Sequence, residues 1–244
     1  IEYIGKGDGV CFAVDNPSGL HVVQDFIVTH NSDLMMGLAT SELSPHKKAI
    51  IFRRSYPELK DIIMRIQELY SNKGVGFKAG TAMRFDGLTG NKTLELGSVP
   101  NFSAAQKYKG RPHDLKLFDE VSDIQESVYT FLIGWARSTE EGIPVRVVAA
   151  GNPPTSADGN WVIKRWAAWI DPNHANPAKP GELRWYATLD GEDKEIEGSD
   201  GSSFEYTTKA GKVEIIKPKS RTFIPAKLSD NPYLMRTDYR SEEH

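Results

Sequence analysis

The hydrophobic pattern of the first 31 residues is that of short strands, and its period changes at Ser32. Val10, Phe12 and Val14 interleave with Cys11 and Ala13, the two-residue period of a strand. Asn16-Pro17-Ser18-Gly19 reads as a turn, followed by two short apolar runs, Val22-Val23 and Phe26-Ile27-Val28. From Ser32 onward Leu34, Met35, Leu38 and Leu43 recur at helical spacing, and Pro45 ends that helix. Ala49-Ile50-Ile51-Phe52 has the continuous apolar character of a strand buried on both faces of a parallel sheet. Ser55-Tyr56-Pro57-Glu58 has capping-box spacing. Behind it Leu59, Ile62, Ile63, Ile66, Leu69 and Tyr70 form one helical stripe.

Within residues 83–103, Met83-Arg84-Phe85 and Thr93-Leu94-Glu95-Leu96 alternate around Gly and Asn turns, which predicts a hairpin. Leu115-Lys116-Leu117-Phe118 predicts a strand with Asp119-Glu120 at its C-terminal end. Val145-Arg146-Val147-Val148-Ala149-Ala150 predicts another, ending at Gly151-Asn152-Pro153-Pro154. Strands alternating with helices predict an open, mainly parallel α/β sheet, whose chemistry gathers at the carboxyl ends of its strands. Residues 172–182 and 190–212 are rich in Pro, Gly, Asp and Ser and read as loops around a peripheral hairpin. There is no internal repeat.

Composition narrows the class. Over 244 residues, 39% hydrophobic and 26% charged positions describe a globular chain. A net charge of -3 argues against a nonspecific nucleic-acid coat but leaves room for a motor with a small basic loop. No apolar run reaches the length of a membrane span, so no membrane partner is expected. The single cysteine, Cys11, excludes an internal disulfide framework. The first residue is Ile1, so the chain is expected to be a fragment of a longer reading frame.

His30-Asn31-Ser32 combines three chemical types in consecutive positions. An asparagine amide can attack its own carbonyl and cut the chain behind it. A preceding histidine can protonate the leaving amine or polarise the carbonyl, and a following hydroxyl can accept an acyl group first. The bland reading of the tripeptide is a polar loop, and that of Cys11 a small buried strand residue. The setting favours chemistry. Val10-Cys11-Phe12-Ala13-Val14-Asp15-Asn16-Pro17 with Phe26-Ile27-Val28-Thr29-His30-Asn31-Ser32 resembles the last two conserved blocks of inteins, specifically class-three inteins. The resemblance implies Cys11 as branch-point nucleophile, Thr29 as the family's threonine, His30 and Asn31 as the C-terminal cleavage pair, and Ser32 as acyl acceptor. It also implies a Hint-type β segment over residues 1–31. The family's tryptophan and Thr-x-x-His block have no counterpart here, so an N-terminal intein and extein fragment is the expected partner, either in trans or in a longer frame.

Asp119-Glu120 after an apolar strand has the form of a Walker B motif, an aspartate for Mg²⁺ and a glutamate for the attacking water. The bland reading is a solvated strand end. The companion Gly-x-x-x-x-Gly-Lys-[Ser/Thr] loop is absent from the sequence. An intein inserted between the lysine and serine of that loop resolves both puzzles, because residues 32–244 would then begin with the loop's serine. Ser32 would serve first in splicing and then as a Mg²⁺ ligand.

Residues 32–244 resemble phage terminase large subunits, ATPases of P-loop type. The stretches carrying this are Ile51-Phe52-Arg53-Arg54-Ser55-Tyr56-Pro57-Glu58-Leu59, Tyr108-Lys109-Gly110-Arg111 through Asp119-Glu120, Ala149-Ala150-Gly151-Asn152-Pro153, and Thr222-Phe223-Ile224-Pro225-Ala226 with Asp230-Asn231-Pro232. The resemblance implies ATP and Mg²⁺ as cofactors, Glu120 as base, Asn152 as γ-phosphate sensor, and Arg111 or Lys109 as the trans-acting cation. It implies double-stranded DNA, a small terminase subunit and a portal protein as partners, a homo-oligomeric ring on the portal, and the cytoplasm of an infected bacterial host. The family's nuclease domain is not expected in a chain ending at His244. Trp161, Trp166, Trp169, Trp185 and Tyr186 read as core, and His21, His46, His113 and His174 lack metal-ligand spacing. The competing expectation is a noncatalytic nucleotide-fold module for assembly or DNA binding, with residues 1–31 a β-extension.

Overall fold

The computed structural model describes residues 31–41, 43–70, 76–77, 82–88 and 92–226. These divide into two compact units, residues 31–162 and 163–226. The segment resembling an intein, apart from Asn31, lies outside the described residues, as do Asp230, Asn231 and Pro232.

The first unit is a mixed α/β sheet. Its strands are β1 (Lys48–Arg53), β2 (Gly76–Phe77), β3 (Ala82–Leu88), β4 (Lys92–Ser98), β5 (Leu115–Asp119) and β6 (Arg146–Ala150), in the order β2-β3-β4-β1-β5-β6. β4, β1, β5 and β6 are mutually parallel, and the predicted hairpin β3-β4 adds the antiparallel end. The expected α/β class is thus met. Helices α1 (Asn31–Thr40) and α2 (Lys60–Tyr70) pack on one face; α3 (Phe102–Ala105) and α4 (Glu126–Ile133) lie further along the chain.

The register decides which side chains share a face. Ala49, Leu94 and Leu115 form one row, and Ile51, Leu96 and Leu117 the next on the same side. They join Met35, Met36, Ala39, Leu59, Ile62 and Ile66 of the helical layer in one buried core. The α1 stripe differs from the sequence reading: Met36 and Ala39 are buried, whereas Leu34 and Leu43 are 37% and 73% exposed. α1 stops at Thr40, whose hydroxyl bonds back to the Met36 carbonyl at 2.7 Å, so Leu43 falls outside the helix. The capping box forms in one direction: Glu58 accepts from the Ser55 N–H at 3.3 Å and from its hydroxyl at 2.6 Å.

The opposite face is aromatic. Phe52 meets Tyr108 at 5.0 Å and Phe118 at 5.3 Å; Phe118 meets Tyr129 at 4.7 Å, and Tyr129 meets Trp161 at 4.9 Å. The Trp161 indole donates to the Ile124 carbonyl at 2.9 Å, which satisfies its one polar atom inside this packing. Lys116 is fully buried on this face and donates to the Leu132 carbonyl at 2.7 Å. At the N-terminal end of the parallel strands, buried Asp114 accepts from the backbone N–H groups of Lys47 and Lys48 and lies 3.3 Å from His46. These bonds fasten that end of the sheet.

The second unit contains β7 (Arg184–Leu189), β8 (Glu192–Glu195), β9 (Phe204–Thr207), β10 (Val213–Ile216) and β11 (Lys219–Arg221). β11, β7 and β8 form a three-stranded antiparallel sheet in that order, and β9 and β10 form a separate hairpin. Residues 190–212, read as loops around a peripheral hairpin, contain β8 and β9, and β9 pairs with β10 just beyond them. Asp190-Gly191 joins β7 to β8 with positive φ at both residues, 50° and 83°. This is the two-residue turn that an Asp-Gly pair favours.

Candidate functional site

The fold brings three sequence-distant side chains together, two of them converging on one carboxylate. Arg53 ends β1 and Asp119 ends β5, each one step beyond the paired Phe52 and Phe118. That shared phase puts both on the α1/α2 face. Ser32 stands in the first turn of α1, where a helix presents N–H groups and a partial positive charge. The Ser32 hydroxyl donates to Asp119 Oδ2 at 2.7 Å. Arg53 reaches the same oxygen with Nε at 2.8 Å and Nη2 at 2.7 Å. Asp119 is 1% exposed, and its other oxygen, Oδ1, has no hydrogen-bond partner among the described residues.

Glu120 follows in the left-handed region, φ 50° and ψ 57°. A residue with a Cβ is held there at a cost of about 1–2 kcal/mol, and such strain concentrates at functional positions. Its Oε2 accepts from the Asn152 backbone N–H at 3.2 Å. Gly151 makes this approach possible: a Cβ there would sit 3.0 Å from the Val121 nitrogen and 3.1 Å from Glu120 Cα. Of the residues predicted from sequence, Ser32, Asp119, Glu120 and Asn152 are therefore gathered at the carboxyl ends of β5 and β6.

Arg111 is engaged elsewhere. Its guanidinium pairs with Glu95 at 2.6 Å and lies 5.4 Å from the centre of the Tyr108 ring, while His113 flanks the same carboxylate at 3.3 Å. Lys109 is exposed just before it. Cys11, Thr29 and His30 lie outside the described residues, and of Asn31 only the backbone, opening α1, is described. Arg53 was not singled out from sequence. Its signal was a cation at the end of a buried strand, which acquires meaning only once the register sets it beside Asp119.

Among the described residues no group of three or more His, Cys, Asp or Glu side chains is assembled for a metal. The donors at this site are a hydroxyl and a carboxylate with a buried, unpartnered oxygen. Such hard oxygen ligands suit Mg²⁺, which takes one or two protein ligands and completes its shell with water and phosphate. The residues present fit that ion.

No protein-family model matches the chain, and no curated protein matches it. Two solved structures are similar in part. The large terminase from a thermophilic bacteriophage, in one crystal form, gives a TM-score of 0.37 at 16% identity over 50% of this chain and 30% of that one. The same terminase in complex with ADP gives 0.33 at 16% identity over 44% of this chain and 26% of that one. The matched part spans less than a third of the length of either.

Among the described residues, no helix is long and apolar enough to cross a membrane.

Proposed function

We propose that residues 32–244 are part of an ATPase of the terminase large-subunit type, and that residues 1–31 are the C-terminal segment of an intein that splices it to an upstream fragment. One observation carries the ATPase reading. Ser32, at the start of α1, is hydrogen-bonded to Asp119 at the end of β5, so the two residues expected to share one cation stand 2.7 Å apart. In this reading Ser32 and Asp119 hold Mg²⁺, and Asn152 fixes Glu120 through the 3.2 Å bond to its backbone N–H. Glu120 then orients a water and takes its proton at Oε1 or Oε2. The ion, bound with ATP, supplies charge neutralisation at the β- and γ-phosphates. The loop that cradles those phosphates comes from the upstream fragment, so the chain before splicing binds ATP poorly. In splicing, Cys11, with Thr29 as the family's threonine, attacks the upstream junction, Ser32 accepts the acyl group, and Asn31 cyclises with help from His30. The matured protein would translocate double-stranded DNA into a procapsid, as a ring on the portal with its small subunit, in the cytoplasm of an infected bacterium.

Co-expression with a partner ending in Gly-x-Gly-Lys plus an intein N-fragment tests both halves. The expected mass is that of a ligated product lacking residues 1–31, lost on Cys11→Ala or Asn31→Ala. An unchanged chain mass defeats the splicing reading. The ligated product should hydrolyse ATP with Mg²⁺, and Glu120→Gln should slow it by about 10²-fold or more. Full activity in that variant would contradict the assigned base.

A further inference from the structure

We infer that Arg53 is a built-in counter-ion for Asp119, which keeps the metal-free site folded and competes with the divalent cation for that carboxylate. The inference rests on the cation site proposed above. A carboxylate that is 1% exposed is costly to hold without a compensating charge. The Ser32 hydroxyl is neutral and cannot supply one. Arg53 can, and its side chain is itself only 19% exposed.

The geometry is lopsided in an informative way. A guanidinium facing a carboxylate ordinarily forms a two-by-two fork that uses both oxygens. Here Nε and Nη2 both converge on Oδ2, at 2.8 and 2.7 Å, and Ser32 adds a third donor at 2.7 Å. Oδ1 is left buried and without a partner among the described residues. The charge of Asp119 is already matched, yet one of its oxygens is free for a ligand bond. A divalent cation placed there meets the positive charge of Arg53 a few Å away. It therefore binds Asp119 less tightly than the oxygen set alone would allow, until an anion draws the guanidinium off.

The test uses the full chain without nucleotide and Mn²⁺ as the probe. Bound Mn²⁺ is read from the electron paramagnetic resonance signal of the free ion, and melting is followed with and without the metal. Arg53→Gln should bind Mn²⁺ about tenfold more tightly than the wild type, the effect of removing one nearby charge at intermediate dielectric. Its metal-free form should melt roughly 6 °C or more below the wild type, and saturating Mn²⁺ should recover most of that loss. Arg53→Lys keeps the charge and should stay near the wild type in affinity. A merely structural arginine would lower the melting temperature in Arg53→Gln without tightening Mn²⁺, and that result overturns the inference. So does an Arg53→Gln protein that remains unfolded even with Mn²⁺, because the metal then fails to replace the arginine. Asp119→Asn should abolish Mn²⁺ binding in every background. If it does not, the cation site itself is wrong, which is a separate failure from that of Arg53.

Discussion

Glu120 shows at the residue scale how local strain and chemistry coincide. Asp119 finishes a regular strand fully inside the sheet, and the next residue must turn the chain toward Val121 within one peptide. The backbone does so through the left-handed region, at φ 50°, in a residue whose Cβ resists it. Replacement by glycine should relieve that resistance, whereas alanine should keep it. Glu120→Gly is therefore expected to be more stable than Glu120→Ala by about 1 kcal/mol, measured by denaturant unfolding. Both variants lose the carboxylate that Asn152 holds, so any ATPase activity of the ligated protein should vanish in both. A glycine variant that is no more stable than the alanine one would mean the turn is unstrained.

Packing at the element scale depends on small residues in the strands that carry the site. Gly97 of β4 lies beside Phe52 of β1, one residue before Arg53. A Cβ at Gly97 would stand 2.6 Å from the Tyr108 hydroxyl and 2.9 Å from two carbons of the Phe52 ring. Phe52 and Tyr108 are both buried and meet edge to face, so neither ring has room to withdraw. Gly97→Ala should destabilise the protein by roughly 1–3 kcal/mol through overpacking, although alanine suits a strand better than glycine. Equilibrium unfolding in urea measures this, and a neutral result would show that the aromatic layer can shift.

Lys116 gives the whole molecule a pH signature. It is fully buried in the central strand β5, with a hydrogen bond to the Leu132 carbonyl. Burial, reinforced by the nearby Arg137 charge, lowers its pKa from 10.5 to about 8. Between those two values the unfolded chain binds more protons than the folded one, so this group makes stability rise with pH across that window. Below about pH 8 the penalty is complete and constant, roughly 3 kcal/mol at most. Lys116→Met should remove it, so its stability advantage over the wild type should be largest at pH 7 and shrink toward pH 10. Melting curves across that range check the sign.

Much of this chain was legible from its hydrophobic periods, because burial imposes the same two- and 3.6-residue rhythms on any sequence. The runs at 49–52, 115–118 and 146–150 became the parallel strands they predicted, and of the predicted stripe Leu59, just before α2, and Ile62 and Ile66 on it are buried. The Asp190-Gly191 turn was equally readable in the sequence, and composition obscured it. What the sequence could not decide was lateral. Strand order and register set Arg53 beside Asp119 and pinned Arg111 to Glu95, and the start of α1 put Ser32 on the same carboxylate as Arg53. These contacts join residues 66, 16 and 87 positions apart. Chemical type and spacing nominate such residues, but only the closed sheet determines which oxygen each of them reaches.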